Sequence, residues 1–218
     1  MNLTLKTMLS AAAMLGLFSV LGMGLVAWVH HSTAARIEEN QRQTLLHSLQ
    51  NLLPADHYDN DLIADVVQIN LSEQGLKPVT VYRARKFGKP VAAVFSTVAP
   101  DGYNGEIRLL VAVKADGSLA GVRVLEHKET PGLGDLIDEN KSHWIFGFNG
   151  LSLGNPPEKQ WKVKRDDGAF DQFTGATVTP RAVVKAVKDI LLFFKASQKT
   201  VFSEQKQSGD VFFRNEVK

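Results

Sequence analysis

Ile107-Arg108-Leu109-Leu110-Val111-Ala112-Val113, followed by Ala115-Asp116-Gly117-Ser118 and the return run Leu119 to Leu125, decides the fold class. The first run is strongly apolar. Asp-Gly supplies the positive φ angles that a tight hairpin turn needs, so the second run folds back on the first. Upstream, Val79 to Arg85 alternates, Phe87-Gly88-Lys89-Pro90 reads as a turn, and Val91 to Val98 continues as a strand. Successive runs joined by short turns make an antiparallel meander and not a βαβ unit. Downstream, Asp135 to Trp144 reads as a short helix and Gln160 to Val163 as a strand. From Thr179 a longer helix is expected, with Thr179 as N-cap and Pro180 as first helical residue. Val183, Val184, Val187, Ile190, Leu191 and Phe194 fall on its apolar side, and Arg181, Lys185 and Lys188 point away. The expected class is α+β: an antiparallel sheet with flanking helices.

Ahead of the sheet lies a different kind of segment. Met8 to Val29 carries no charged residue. At ~1.5 Å per residue it reaches roughly 33 Å, enough for a hydrocarbon core of about 30 Å. Trp28, His30 and His31 stand at its far end, where amphipathic rings favour the interface. A cleaved signal peptide is the rival reading, and a Thr33-x-Ala35 pattern does follow. The apolar run is longer than the roughly 7–15 residues of such a signal, so an uncleaved anchor is expected. Thr33 to Leu53 then reads as a stalk helix with Ile37, Leu45, Leu46, Leu49, Leu52 and Leu53 as its apolar stripe, ended by Pro54. The expected layout is a tail over 1–7, a transmembrane helix over 8–29, a helical stalk over 30–75, the sheet domain over 76–200 and a C-terminal tail over 201–218.

Composition removes several chemistries. The 218 residues include no cysteine, which excludes disulfides, thiolate iron–sulfur clusters, Cys-ligated zinc and c-type haem attachment. The net charge of +2 is spread over well-mixed side chains, so no nucleic-acid face is expected. The acidic stretch Asp56 to Asp65 lacks the Gly and Glu spacing of a calcium loop and reads as a solvated turn leading to a short helix. No metal site is expected.

The candidate chemistry lies in Asp171-Gln172-Phe173-Thr174-Gly175-Ala176-Thr177 and the following Val178-Thr179-Pro180-Arg181. Hydroxyls and a flexible glycine stand at the mouth of a helix, whose free N–H groups and partial positive charge suit a phosphate. The bland alternative is a capped helix after a glycine turn. No Walker lysine and no Gly-x-Gly-x-x-Gly is present. A second irregular segment is His127-Lys128-Glu129-Thr130-Pro131-Gly132-Leu133-Gly134, preceded by the loop Gly102-Tyr103-Asn104-Gly105.

Asp171-x-x-Thr174-Gly175-Ala176-Thr177 resembles the motif read by the periplasmic flavin transferase, which moves FMN from FAD onto Thr or Ser. His127 to Gly134 resembles the second signature of the same FMN-binding domain. The whole chain is similar to the G-subunit family of the Rnf (Rsx) electron-transport complex, and the C subunit of the sodium-pumping NADH:quinone reductase shares both motifs. This resemblance implies FMN esterified to Thr177. It also implies further cofactor contacts from Thr174, Gly175, Ala176, Thr179, His127, Glu129, Thr130, Gly132, Leu133 and Gly134. Transferase recognition would fall to Asp171, Thr174, Gly175, Ala176 and Thr177. It implies an electron-transfer subunit at the bacterial inner membrane, single-pass, with a periplasmic domain. Its partners would be iron–sulfur and membrane flavin subunits, the transferase and membrane lipid, and no nucleic acid. A single span with no acid or base inside it offers no ion path, so pumping would belong to other subunits. The alternatives are the equivalent quinone-reductase subunit and a non-redox assembly subunit.

Overall fold

The structure is a computed structural model that describes residues 3–69 and 78–203. The expected C-terminal tail beyond residue 203, including Val211-Phe212-Phe213, lies outside the described residues, as does part of the expected stalk over 70–75.

Two compact units divide the chain after Thr44. The first is the greater part of helix α1, Leu3–Leu52, which runs unbroken through Thr33 to Ala35. Large apolar side chains project all round it: Leu17, Phe18, Val20, Met23 and Val26 are all exposed. Among the described residues it is the one helix long and apolar enough to cross a membrane. Apolar side chains facing outward on every side find a favourable solvent in lipid and not in water.

The second unit is built on five antiparallel strands in chain order: β1 Val66–Ile69, β2 Val79–Lys86, β3 Lys89–Ala99, β4 Ile107–Lys114 and β5 Leu119–Glu126. The expected meander is present. Its continuous apolar runs follow from both faces being covered. Alternate residues go to opposite cores. Phe95, Leu109, Val111, Val113 and Val122 meet helix α2, Val178–Val201, in one core. Tyr82, Ala84, Ala92, Val94, Leu110 and Ala112 join Leu49, Leu52, Leu53 and Leu62 in the other. A Cβ on Gly121 would come within 2.9 Å of Leu52 Cδ2, so a bare position in β5 is what lets the last turn of α1 seat on the sheet. Along α2, Val183, Val184, Val187, Ile190, Leu191 and Phe194 are all buried as expected, each contributing about 1.5–3 kcal/mol.

Four local expectations are corrected. The β2–β3 turn is only Phe87-Gly88, at φ 51° and 74°, because Lys89 and Pro90 already pair with Lys86 and Arg85. The acidic stretch leads not into a helix but into Val66–Ile69, which pairs with β2. That stretch is consumed by local bonds. Asp59 accepts from the Phe87 N–H, Asp61 from the Ile63 N–H, and Asp65 pairs with Arg83 and Arg85. Asp135 to Trp144 is no α-helix: a 3₁₀ turn at Gly134–Ile137 gives way to extended Asp138, whose carboxylate bonds the Asn140 N–H. Gln160 to Val163 is not a strand but the end of a 3₁₀ turn at Glu158–Gln160, with Trp161 buried and its indole N–H shared between Ser152 and Pro156 carbonyls.

Candidate flavin site

The turn Phe173-Thr174-Gly175-Ala176 closes with the Ala176 N–H on the Phe173 carbonyl at 3.1 Å. Gly175 has φ 81°, the value a type II turn demands of its third residue. Thr174 and Gly175 are exposed at the tip, and Ala176 and Thr177 are half-buried behind it. α2 starts at Val178, two residues earlier than expected, which puts Thr177 and not Thr179 at the N-cap position. Thr177 itself has helical φ and ψ, and its side chain makes no capping bond. Its Oγ1 is therefore free of the helix, with Arg165 Nη1 at 3.5 Å.

Thr179 is fully buried and turned inward, where its hydroxyl donates to Glu129 Oε2. The other oxygen of Glu129 accepts from the Asn104 N–H at 3.1 Å. The Asn104 side-chain amide in turn donates to Thr130 Oγ1 at 3.1 Å. Glu129 thus ties three segments together: the Gly102 loop, its own loop and the start of α2. His127 Nδ1 accepts from the Glu129 N–H at 3.1 Å, which orients that loop from inside. Thr130 holds the next turn, its carbonyl accepting from the Leu133 and Gly134 N–H groups at 3.1 Å each. Gly132 turns at φ 75°, Leu133 is exposed, and Gly134 is buried against Glu129 and Thr179. A Cβ built on Gly175 would lie 3.8 Å from Leu133 Cδ2, so the two signature segments meet at that point.

The approach to the turn is held by aromatic packing. Phe148 stacks on Phe170 with centroids 4.9 Å apart, and Trp144 meets Phe173 edge-on at 5.3 Å. The Trp144 indole N–H donates to the Asp171 carbonyl at 2.8 Å, while the Asp171 carboxylate pairs with Lys164 at 2.5 Å. A groove of about 480 Å³ lined by His143, Trp144, Asn155 and Phe170 reaches the motif at Asp171 and does not include Thr177. Arg181, in the first turn of α2, makes a bidentate pair with Asp166 at 2.6 and 2.9 Å. That pair holds the Asp166 carboxyl below its usual range and raises the guanidinium.

Arg165, Asn104 and Trp144 join the site without standing among the residues expected there. The sequence signal for Arg165 is the run of four charges Lys164-Arg165-Asp166-Asp167 shortly before the motif.

The site's donor set fits a flavin phosphate. A hydroxyl that makes no capping bond stands at the amino end of a 24-residue helix, where first-turn N–H groups lack intrahelical partners, and a guanidinium nitrogen lies 3.5 Å from it. The fold and turn fit a flavin-binding domain in a chain that also has a helix long and apolar enough to cross a membrane. Residues 102–192 match the FMN-binding domain family, and residues 1–52 match the RnfG N-terminal region. The chain is 49% identical over 208 residues to the G subunit of the ion-translocating oxidoreductase complex of Pseudomonas aeruginosa (strain UCBPP-PA14), covering 94% of this chain and 97% of that one. It is 46% identical over 200 residues to the subunit of the same name from Shewanella loihica, covering 91% and 94%. It is 43% identical over 191 residues to that from Vibrio cholerae serotype O1 (strain O395), covering 87% and 91%. The chain belongs to this family, the G subunits of ion-translocating oxidoreductase complexes.

Proposed function

We propose that this chain is the FMN-bearing electron-transfer subunit of a multi-subunit ion-translocating oxidoreductase, with its flavin esterified to Thr177. Bound FMN supplies the redox chemistry, accepting and releasing electrons at its ring. The protein holds the phosphate at the start of α2 and walls the site with the Pro131 to Gly134 loop. The observation that carries the assignment is the sorting of three hydroxyls. Thr179 is buried and committed to Glu129, Thr174 sits exposed at a turn tip, and Thr177 alone joins a free hydroxyl to the helix start. A diester there carries one negative charge, which the helix end favours. The motif Asp171 to Thr177, exposed at Asp171, Thr174 and Gly175, suits recognition by a flavin transferase working in the periplasm. The sheet domain then stands on the periplasmic side of the inner membrane, tethered by α1 and in contact with the other subunits of the complex.

Co-expression with the transferase tests this. The denatured chain is expected to fluoresce yellow-green in a gel, and Thr177→Ala to be dark, while Thr174→Ala keeps at least part of the signal. A dark wild-type band, or an adduct mapped by peptide mass to Thr174 or Thr179, defeats the proposal.

A further inference from the structure

We infer that Arg165 is the counter-cation of the phosphodiester on Thr177, a positioning residue built into the fold before the flavin arrives. The inference rests on the Thr177 attachment proposed above. Its ground is how the loop Lys164–Asp166 distributes three adjacent charges. Lys164 pairs with Asp171 at 2.5 Å. Asp166 pairs with Arg181, which takes the first-turn cation of α2 out of play. Arg165 is left between them, and among the described residues its guanidinium makes no ion pair. Its one polar side-chain contact there is Nη1 to Thr177 Oγ1 at 3.5 Å. A guanidinium without an ion-pair partner of its own thus faces the atom on which esterification places a negative charge.

The loop that presents Arg165 is fixed tightly, as a positioning device requires. Lys164 N–H bonds the Phe170 carbonyl at 2.7 Å, and Gly168 N–H bonds the Val163 carbonyl at 3.0 Å. Asp167 turns the chain at φ 61°. A Cβ on Gly168 would lie 1.9 Å from the Lys162 carbonyl oxygen, so only glycine lets the loop close so tightly. The Arg165 N–H is itself bonded to Gln172 Oε1 at 3.2 Å, which registers the loop against the motif. Five donors in a rigid fork suit phosphate oxygens better than the point charge of lysine does.

The test uses full-length chain loaded by the transferase with FAD, comparing wild type, Arg165→Ala, Arg165→Lys and Lys162→Ala. Lys162 is an exposed cation of the same neighbourhood with no contact to Thr177, so its variant controls for net charge. Two readouts are taken on the loaded proteins: the ³¹P resonance of the phosphodiester and the fluorescence anisotropy of the attached flavin. Arg165→Ala is expected to shift the resonance and lower the anisotropy, Arg165→Lys to fall between, and Lys162→Ala to match wild type. Loading of Arg165→Ala should be slower by roughly five-fold, the size of a partly exposed charge-assisted bond. Resonance and anisotropy unchanged in Arg165→Ala overturn the inference, whatever the loading rate, since slow loading alone would mark a contact with the transferase. A wild-type chain that takes no flavin on Thr177 would instead defeat the attachment itself.

Discussion

Replacing Thr179 by valine tests whether the Glu129 tie holds the site together. Valine keeps the shape of the side chain and removes only the hydroxyl, so the buried Glu129 Oε2 loses its donor while Oε1 keeps the Asn104 N–H. Thr179 is 0% and Glu129 5% exposed, so water cannot easily take the place of the lost partner. A buried acceptor left without its donor costs about 1–3 kcal/mol. For a domain of this size each kcal/mol moves Tm by roughly 2–4 °C, giving a drop of about 4–8 °C for ~2 kcal/mol. Thr179→Ser keeps the donor and loses one methyl, about 0.8 kcal/mol, and should fall by only ~2–3 °C. Thermal melts of the full-length protein in detergent measure both. Hydrogen exchange gives a local readout: the Leu133 and Gly134 amides, bonded to the Thr130 carbonyl, should exchange faster in the valine variant. If valine melts level with serine or above it, the hydroxyl is not the brace described here.

Gly134→Ala should destabilise by about 1–3 kcal/mol, because its Cβ would meet Glu129 Oε2 and Thr179 Oγ1 at 2.8 Å each; equilibrium urea unfolding measures this. Asp189, half-buried on α2, has its carboxyl pushed up from 3.8 chiefly by desolvation. A carboxyl whose folded pKa lies above its unfolded one favours folding while protonated, and that contribution is lost as pH rises through the folded value. Asp189→Asn is therefore expected to raise Tm at pH 7, with the gain shrinking as pH falls toward 3.8; a gain independent of pH would contradict the desolvation argument.

Where the determinants of structure are local, the sequence carries them. Asp116-Gly117 sets one hairpin, but only Gly117 has the positive φ expected of both, at 85°, while Asp116 holds the turn by accepting from the Ser118 N–H; the apolar runs of β3, β4 and β5 appear at their full lengths. Strand β1 is not legible because its four residues follow an acidic stretch, and they become a strand only by pairing with β2. The helix expected over Asp135 to Trp144 fails for a local reason that periodicity misses. Asp138 bonds the backbone two residues on, which competes with helix. Thr179 reads as an N-cap because a Ser or Thr ahead of a Pro is a good local signal. Its actual partner, Glu129, is 50 residues away in sequence. Arg165 escapes for the same reason at shorter range, since its neighbour Thr177 lies 12 residues on and across a turn.

The two signature motifs divide by exposure into residues that can touch a cofactor and residues that hold the others still. Leu133, Thr174 and Gly175 are exposed and Thr177 is half-buried, so these can reach a ligand. Glu129, Gly134 and Thr179 are buried, and both Glu129 oxygens are already spoken for by protein donors. A motif read as one set of cofactor contacts is thus two sets with different physics. The buried set also explains the Gly102 loop. A Cβ on Gly102 would lie 2.2 Å from the Gly105 carbonyl oxygen and 3.0 Å from Glu129 Oε1, so that loop can reach the Glu129 carboxyl only if it is bare there. Three segments far apart in sequence must each give up a side chain or commit a polar group before the Thr177 hydroxyl has a fixed place to stand.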